Sequence, residues 1–256
     1  MKLHIGCSGF HYVHWKGKFY PQTLPPGKWL EYYCNTFSTV EINVSFYRFP
    51  TEHMVQSWKT TATSVNNGFV FTFKGNRLIT HLKRLQLSPE LESSISRFVA
   101  LFDMLQTNKG CILWQLHQSM KCNDTNLLKL EDFCRYLTKL PCRFVIEFRD
   151  PGWWNKKVFS ILEEANVAFC VESGLGLPDA MVVTAEFAYI RFHGPADNYS
   201  SNYTDQQLIA WKKTIEEYCD KCSDIYCYFN NDVSAYAVSN AQRLRELMGN
   251  SISPVD

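Results

Sequence analysis

One pattern limits what this chain can fold into more than any other. Eight times, a short apolar, β-branched or aromatic run turns polar at its C-terminal end and is followed by a segment of different periodicity. The runs cover residues 3–8, 39–43, 69–74, 111–117, 144–148, 168–173, 187–194 and 225–230. Helical patterns are predicted over 29–37, 51–62, 88–105, 127–140, 156–165, 204–218 and 235–248. Ser88 before Pro89 reads as a helix start, Thr204 with Gln207 as a capping box, and Gly249 as a stop. The crossover after the sixth run is short and poorly helical. Strands separated by helical crossovers pair in parallel, and eight of them close a TIM-type (β/α)8 barrel. An open doubly wound sheet is the alternative, but no G-x-G-x-x-G or Walker sequence follows any run.

The run at 144–148 shows what the polar ends imply. Side chains alternate along a strand, so Val145, Glu147 and Arg149 share one face while Ile146 and Phe148 share the other. A barrel gathers its strand C-termini at one mouth. Ser8, Glu41, Asn43, Lys74, Gln115, His117, Glu147, Arg149, Glu172, Arg191, His193 and Asn230 are therefore expected to meet there.

At 256 residues and 46% hydrophobic content the chain suits one domain, 1–256. A net charge of +1 provides no global basic field, so an anion site must be local. No signal-like start or apolar span of membrane length is present, which predicts a cytoplasmic protein with no membrane partner. The ten cysteines fall largely inside apolar elements and read as reduced, buried thiols. Cys219 and Cys222 lack a second pair for a structural zinc.

The quoted segments carry a resemblance. Ile5-Gly-Cys-Ser-Gly-Phe10, Trp15-Lys-Gly17, Phe19-Tyr-Pro21, Thr39-Val-Glu-Ile-Asn43, Ser45-Phe-Tyr-Arg48, Thr80-His81, Ile146-Glu-Phe-Arg149, Tyr189-Ile-Arg-Phe-His-Gly194 and Tyr228-Phe-Asn-Asn231 resemble the YecE-like family, a domain family of unknown function (DUF72). The resemblance spans nearly the whole chain. It implies a TIM-type barrel and brings no activity, substrate or cofactor. Gln115-Leu-His-Gln118 departs from the Gln-Leu-Pro-Pro expected of the family.

The residue types at the mouth suggest three classes: an enzyme on a phosphate- or carboxylate-bearing substrate, a non-catalytic binder of an anion or nucleic acid, and a structural charge ring. Lys74, Arg149 and Arg191, with Arg48 reaching in from a loop, suit phosphate oxygens, since arginine's fork matches them bidentately. Asn43 and Asn230 add polar groups. Among the acids Glu41, Glu147 and Glu172, Glu147 or Glu172 is assigned as general base and His193 as general acid, in the manner of a phosphodiester or phosphate-ester hydrolase. Tyr12, Trp15, Phe46 and Tyr47 can stack on bases, which extends the expected partners from a phosphate-bearing small molecule to single-stranded nucleic acid. The loop over 9–21, dense in aromatics, is read as a plug at one end of the barrel in preference to the lining of a binding mouth. A divalent metal held by Glu41, Glu147, Glu172 and His193 is not favoured, because the neighbouring cations pair with the carboxylates and repel it. No Gly-x-Ser-x-Gly elbow supports serine hydrolysis. Substitution of Glu147 or Arg149 is expected to cost less stability than truncation of Phe98.

Overall fold

The computed structural model describes residues 1–196 and 199–249. Eight parallel strands close into a barrel in sequence order: β1 (Lys2–Ser8), β2 (Thr39–Ile42), β3 (Val70–Lys74), β4 (Lys109–Gln115), β5 (Arg143–Glu147), β6 (Ala168–Ser173), β7 (Phe187–Phe192) and β8 (Asp224–Phe229). β8 pairs with β1 from Lys2↔Asp224 to Cys7↔Phe229, so no edge strand is left. The (β/α)8 expectation holds.

Around the strands lie α1 (Trp29–Thr36), the single turn α2 (Val44–Tyr47), α3 (Glu52–Val65), α4 (Pro89–Asp103), α5 (Asp124–Leu137), α6 (Lys156–Glu164), α7 (Asp205–Tyr218) and α8 (Tyr236–Met248). Their starts follow side-chain chemistry. Thr51, Ser88, Asn123, Asn155 and Thr204 each accept from the backbone N–H three residues on, and Gln207 completes the box at Thr204. Gly249 ends α8 with φ −59°, so this stop is not the left-handed kind that glycine usually supplies. Between β6 and β7 no helix forms, as expected of that crossover. None of the described helices is long and apolar enough to cross a membrane.

Strand alternation divides the core in two. Ile146, Phe148, Val171, Ile190 and Phe229 join the layer between sheet and helices, whereas Leu113, Val145, Cys170, Tyr189 and Tyr228 fill the barrel interior. The same alternation carries the last inward residue of each strand to the mouth. Glu41 lies beside Ser8, Glu147 beside Gln115, and Arg191 beside Glu172 in register.

Candidate functional site

The barrel interior ends upward in a closed ion network. Tyr189 and Tyr228 form its floor: Tyr189 donates to Glu41 Oε2 at 2.5 Å, and the Tyr228 hydroxyl lies 2.6 Å from Thr39 Oγ1 and 3.0 Å from Thr72 Oγ1. Above them Arg191 donates through Nη2 to Glu41 Oε1 at 2.8 Å and to Ser8 Oγ at 3.1 Å, and through Nη1 to Glu147 Oε2 at 2.7 Å. Glu147 also accepts from Gln115 at 2.5 Å and pairs with Arg149. Glu41, Glu147, Glu172, Arg191 and His193 have no exposed surface. Ions this buried cost more to desolvate than their mutual attraction returns unless each carboxylate oxygen finds a donor. For Glu41 and Glu147 that condition is met.

It is not met at Glu172. Arg149 Nε lies 3.5 Å and His193 Nε2 3.4 Å from Glu172 Oε2, yet neither Glu172 oxygen has a hydrogen-bond partner among the described residues, and the same is true of Arg149 Nε and His193 Nε2. The two acids consequently diverge. Burial raises both, but beside Glu147 the guanidiniums of Arg149 and Arg191 prevail and hold its carboxyl well below the usual range. Burial, then the charge of Glu147, pushes Glu172 well above it. Burial and then Arg191 keep His193 far below its ordinary value, and a neutral imidazole serves as acceptor or ligand rather than as an acid.

Over this network opens a cleft of about 420 Å³ lined by His14, Asn43, Phe46, Tyr47, Lys74, Gln115, Arg149, Arg191, Tyr199, Asn230, Asp232 and Val233. Lys74 lies with its ammonium 4.5 Å from the centre of the Phe46 ring. Burial, then Arg191, pushes it down to about 8. Arg149 donates to the Tyr199 hydroxyl at 2.9 Å, and Asn230 Nδ2 meets His193 Nδ1 at 3.2 Å. Phe46 also packs on His81, whose ring is 5.1 Å from that of His117. Burial and then His117 push His81 down to about 4.

The structure thus brings Glu41, Asn43, Lys74, Glu147, Arg149, Glu172, Arg191, His193 and Asn230 together at one mouth. Three expected ligand contacts need correction. Trp15 has no exposed surface; it packs on Tyr12, Phe19, Tyr20 and Tyr33 and donates its indole N–H to Asp232 at 2.5 Å, so it plugs the barrel end instead of stacking on a base. Arg48 is exposed and lines neighbouring grooves, because the α2 turn points it away from the cleft. Arg191 lies under the cleft with Nη1 and Nη2 already engaged by carboxylates, so it does not offer its fork to phosphate; its Nε has no hydrogen-bond partner among the described residues. Tyr12 donates to the Ser8 carbonyl at 2.7 Å and faces an adjoining groove of about 450 Å³ with Phe10, Val44, Met54 and Trp58. β4 stops at Gln115, so His117 lies beyond the strand, bonded to Ser119 at 2.7 Å.

Tyr199, His14 and Asp232 were missed. Tyr199 sits in a long connection without periodicity, with a left-handed φ of 57°. His14 Nε2 contacts Asp232 Oδ2 at 3.0 Å, a pairing across 218 residues that no local pattern announces. Asp232 immediately follows the Tyr228-Phe-Asn-Asn231 segment, a polar strand end that was the available signal. Burial pushes Asp232 up to about 6 against the pull of the Trp15 N–H.

Comparison with known proteins agrees with the geometry. The chain is similar to the UPF0759 protein YunF of Bacillus subtilis (strain 168), at 25% identity over 279 residues covering 96% of this chain and 94% of that one. A crystal structure of a DUF72 family protein from Thermotoga maritima superposes with a TM-score of 0.86 at 24% identity, covering 97% of this chain and all 100% of that one. A second, from Enterococcus faecalis V583, gives 0.82 at 18% identity over 99% and 97% of the two chains. The sequence profile of the protein of unknown function DUF72 matches residues 4–255, and the chain belongs to that family.

Proposed function

We propose that the mouth of the barrel binds a phosphate-bearing ligand of mononucleotide size. Lys74 carries this reading: among the described residues its ammonium has no ion-pair partner, although it lines a cleft whose other cations are paired. A half-buried ammonium without a counterion attracts an anion, and Arg149, held at the rim by Tyr199, adds a guanidinium. Asn43, Gln115 and Asn230 supply neutral polar groups around the same space.

The cleft of about 420 Å³ falls in the usual range for small-molecule sites. Its apolar neighbour shares Asn43 and Tyr47 with it, so an anionic head in the first and a planar body in the second match a nucleotide. The near-neutral net charge suits a single small ligand better than a long strand. Hydrolysis of a phosphodiester or phosphate ester is the finer part of the reading, with Glu172 as the mouth acid whose oxygens have no hydrogen-bond partner among the described residues.

Calorimetric titration with inorganic phosphate, a nucleoside monophosphate and a short single-stranded oligonucleotide at two salt concentrations tests it. The monophosphate is expected to bind, and Lys74→Met to weaken it about ten-fold or more, a loss the size of one charged hydrogen bond. Absence of binding by the wild type, or equal binding by folded Lys74→Met, overturns the site. Binding without turnover of phosphate esters, with or without divalent metal, leaves a non-catalytic binder.

A further inference from the structure

Glu172, near the end of β6, and His193, just past the end of β7, present three buried polar atoms, both Glu172 oxygens and His193 Nε2, with no hydrogen-bond partner among the described residues. Donor atoms of Glu147, Glu172 and His193 all lie within 4.8 Å of one another. Buried charged groups in proteins are paired or coordinate a metal. Pairing fails here for a definite reason. Arg191, the cation nearest in register, has Nη1 on Glu147 and Nη2 on Glu41 and Ser8. Arg149 approaches Glu172 only through Nε at 3.5 Å, without a hydrogen bond.

We propose that Glu147, Glu172 and His193 form a binding site for one divalent first-row metal ion, with water completing its shell. Two carboxylates and an imidazole make a mixed oxygen and nitrogen donor set, which suits Mn²⁺, Co²⁺ or Zn²⁺ better than Ca²⁺. Asn230 supplies the outer support that a histidine ligand needs. Its amide lies 3.2 Å from His193 Nδ1, and turned over it accepts from Nδ1–H through Oδ1, leaving the Nε2 lone pair to the metal.

The neighbouring cations pair with Glu41 and Glu147, which by sequence alone disfavours a metal, but they make no hydrogen bond to Glu172, and of the pairs on Glu147 the one with Arg149 can be given up. Arg149 is then a competitor: it contacts Glu147 and leans on Glu172, while its Nη1 keeps a second partner in Tyr199 at 2.9 Å. Metal entry displaces the guanidinium from the carboxylates toward that hydroxyl. Removing Arg149 therefore strengthens metal binding, a signature that adventitious surface binding lacks.

Metal-stripped full-length chain titrated with Mn²⁺, Co²⁺ or Zn²⁺ alone tests the site by calorimetry, with Mn²⁺ followed by electron paramagnetic resonance and Co²⁺ by visible absorption. The expected result is one ion per chain, with Glu172→Gln and His193→Ala each weakening affinity by about ten-fold or more. Arg149→Met tightens it, and His4→Gln, in the His4–Asp224 contact at the opposite end of the barrel, leaves it unchanged. Glu172→Gln keeps the side chain's shape and decides the matter if His193→Ala does not fold; Arg149→Lys, which removes the fork, replaces Arg149→Met on the same condition. Folded wild type that binds none of the three ions at millimolar concentration overturns the proposal. So does binding that survives Glu172→Gln undiminished, or that is no tighter once Arg149 is replaced. No anion affinity is read, so the result stands apart from the phosphate reading.

Discussion

Arg191 Nη1 stands 2.7 Å from Glu147 Oε2, and neither side chain has any contact with solvent. The pair is the centre of a chain of alternating charge running from Glu41 through Arg191 and Glu147 to Arg149. Each ion is tolerable only because its neighbours are present, since the interior offers no water in exchange.

Breaking the pair from one side is therefore costly. Arg191→Met leaves Glu41 without its cation and Glu147 with Arg149 alone, and Glu147→Gln takes one buried carboxylate from both Arg191 and Arg149; each is expected to lower stability by about 3–5 kcal/mol. That equals the cost expected for truncating the buried Phe98 to alanine, about 3–5 kcal/mol, where the sequence alone suggests that the charges are the cheaper residues to replace. Urea unfolding of the three variants checks it. Losses below about 1 kcal/mol for both charge variants, the range of exposed ion pairs, would show the network to be far less interdependent than its geometry implies.

Anion affinity should fall with rising pH. Lys74 is held at about 8 in the fold against an ordinary 10.5, so the cleft loses its ammonium as pH passes 8. The sign for stability is opposite. Between these values the unfolded chain holds the proton that the folded chain has released, so the stability cost of Lys74 is full below pH 8 and is relieved toward pH 10.5. Phosphate titrations from pH 6.5 to 9.5 (about 1.5 units either side of that midpoint) check it, with Lys74→Met as the reference that carries the titration of the phosphate itself. A wild-type affinity that varies with pH no more than that of Lys74→Met counts against the assignment.

Gly174 and Gly194 let the β6 and β7 ends approach. A Cβ on Gly174 would lie 2.1 Å from the Gly194 carbonyl oxygen, and the two residues have φ of +101° and +98°. Gly174→Ala should cost about 1–3 kcal/mol through backbone strain and collision. Because β6 carries Glu172, β7 carries Arg191 and His193 follows β7 directly, the loss should extend to ligand affinity. A melting temperature equal to that of wild type would mean the loops shift freely.

Tyr47 is 69% exposed where the cationic cleft meets the apolar groove. Tyr47→Ala should change stability by no more than about 0.5 kcal/mol. Stacking on a base is worth about 1–3 kcal/mol, so the variant should bind a nucleoside monophosphate more weakly while inorganic phosphate binding is unchanged. Equal losses for both ligands would place no base against Tyr47.

Much of this protein was legible one segment at a time. Strand alternation at Val145, Glu147 and Arg149 against Ile146 and Phe148 separated barrel interior from outer core, and the eightfold recurrence closed the barrel, because periodicity and crossover length are local properties of the chain. The polar strand ends named the mouth for the same reason. Tertiary structure decided which of those charges remain available. Arg191 is consumed by Glu41 and Glu147, Arg48 is turned away by α2, Trp15 is buried on Asp232, and Tyr199 enters from a connection without pattern. Ion pairing depends on distances between strands far apart in the chain, and a few ångströms separate a satisfied carboxylate such as Glu147 from one such as Glu172, whose oxygens have no donor among the described residues. Alternation along a strand aims a side chain at the mouth, but only the packed barrel determines the partner it meets there.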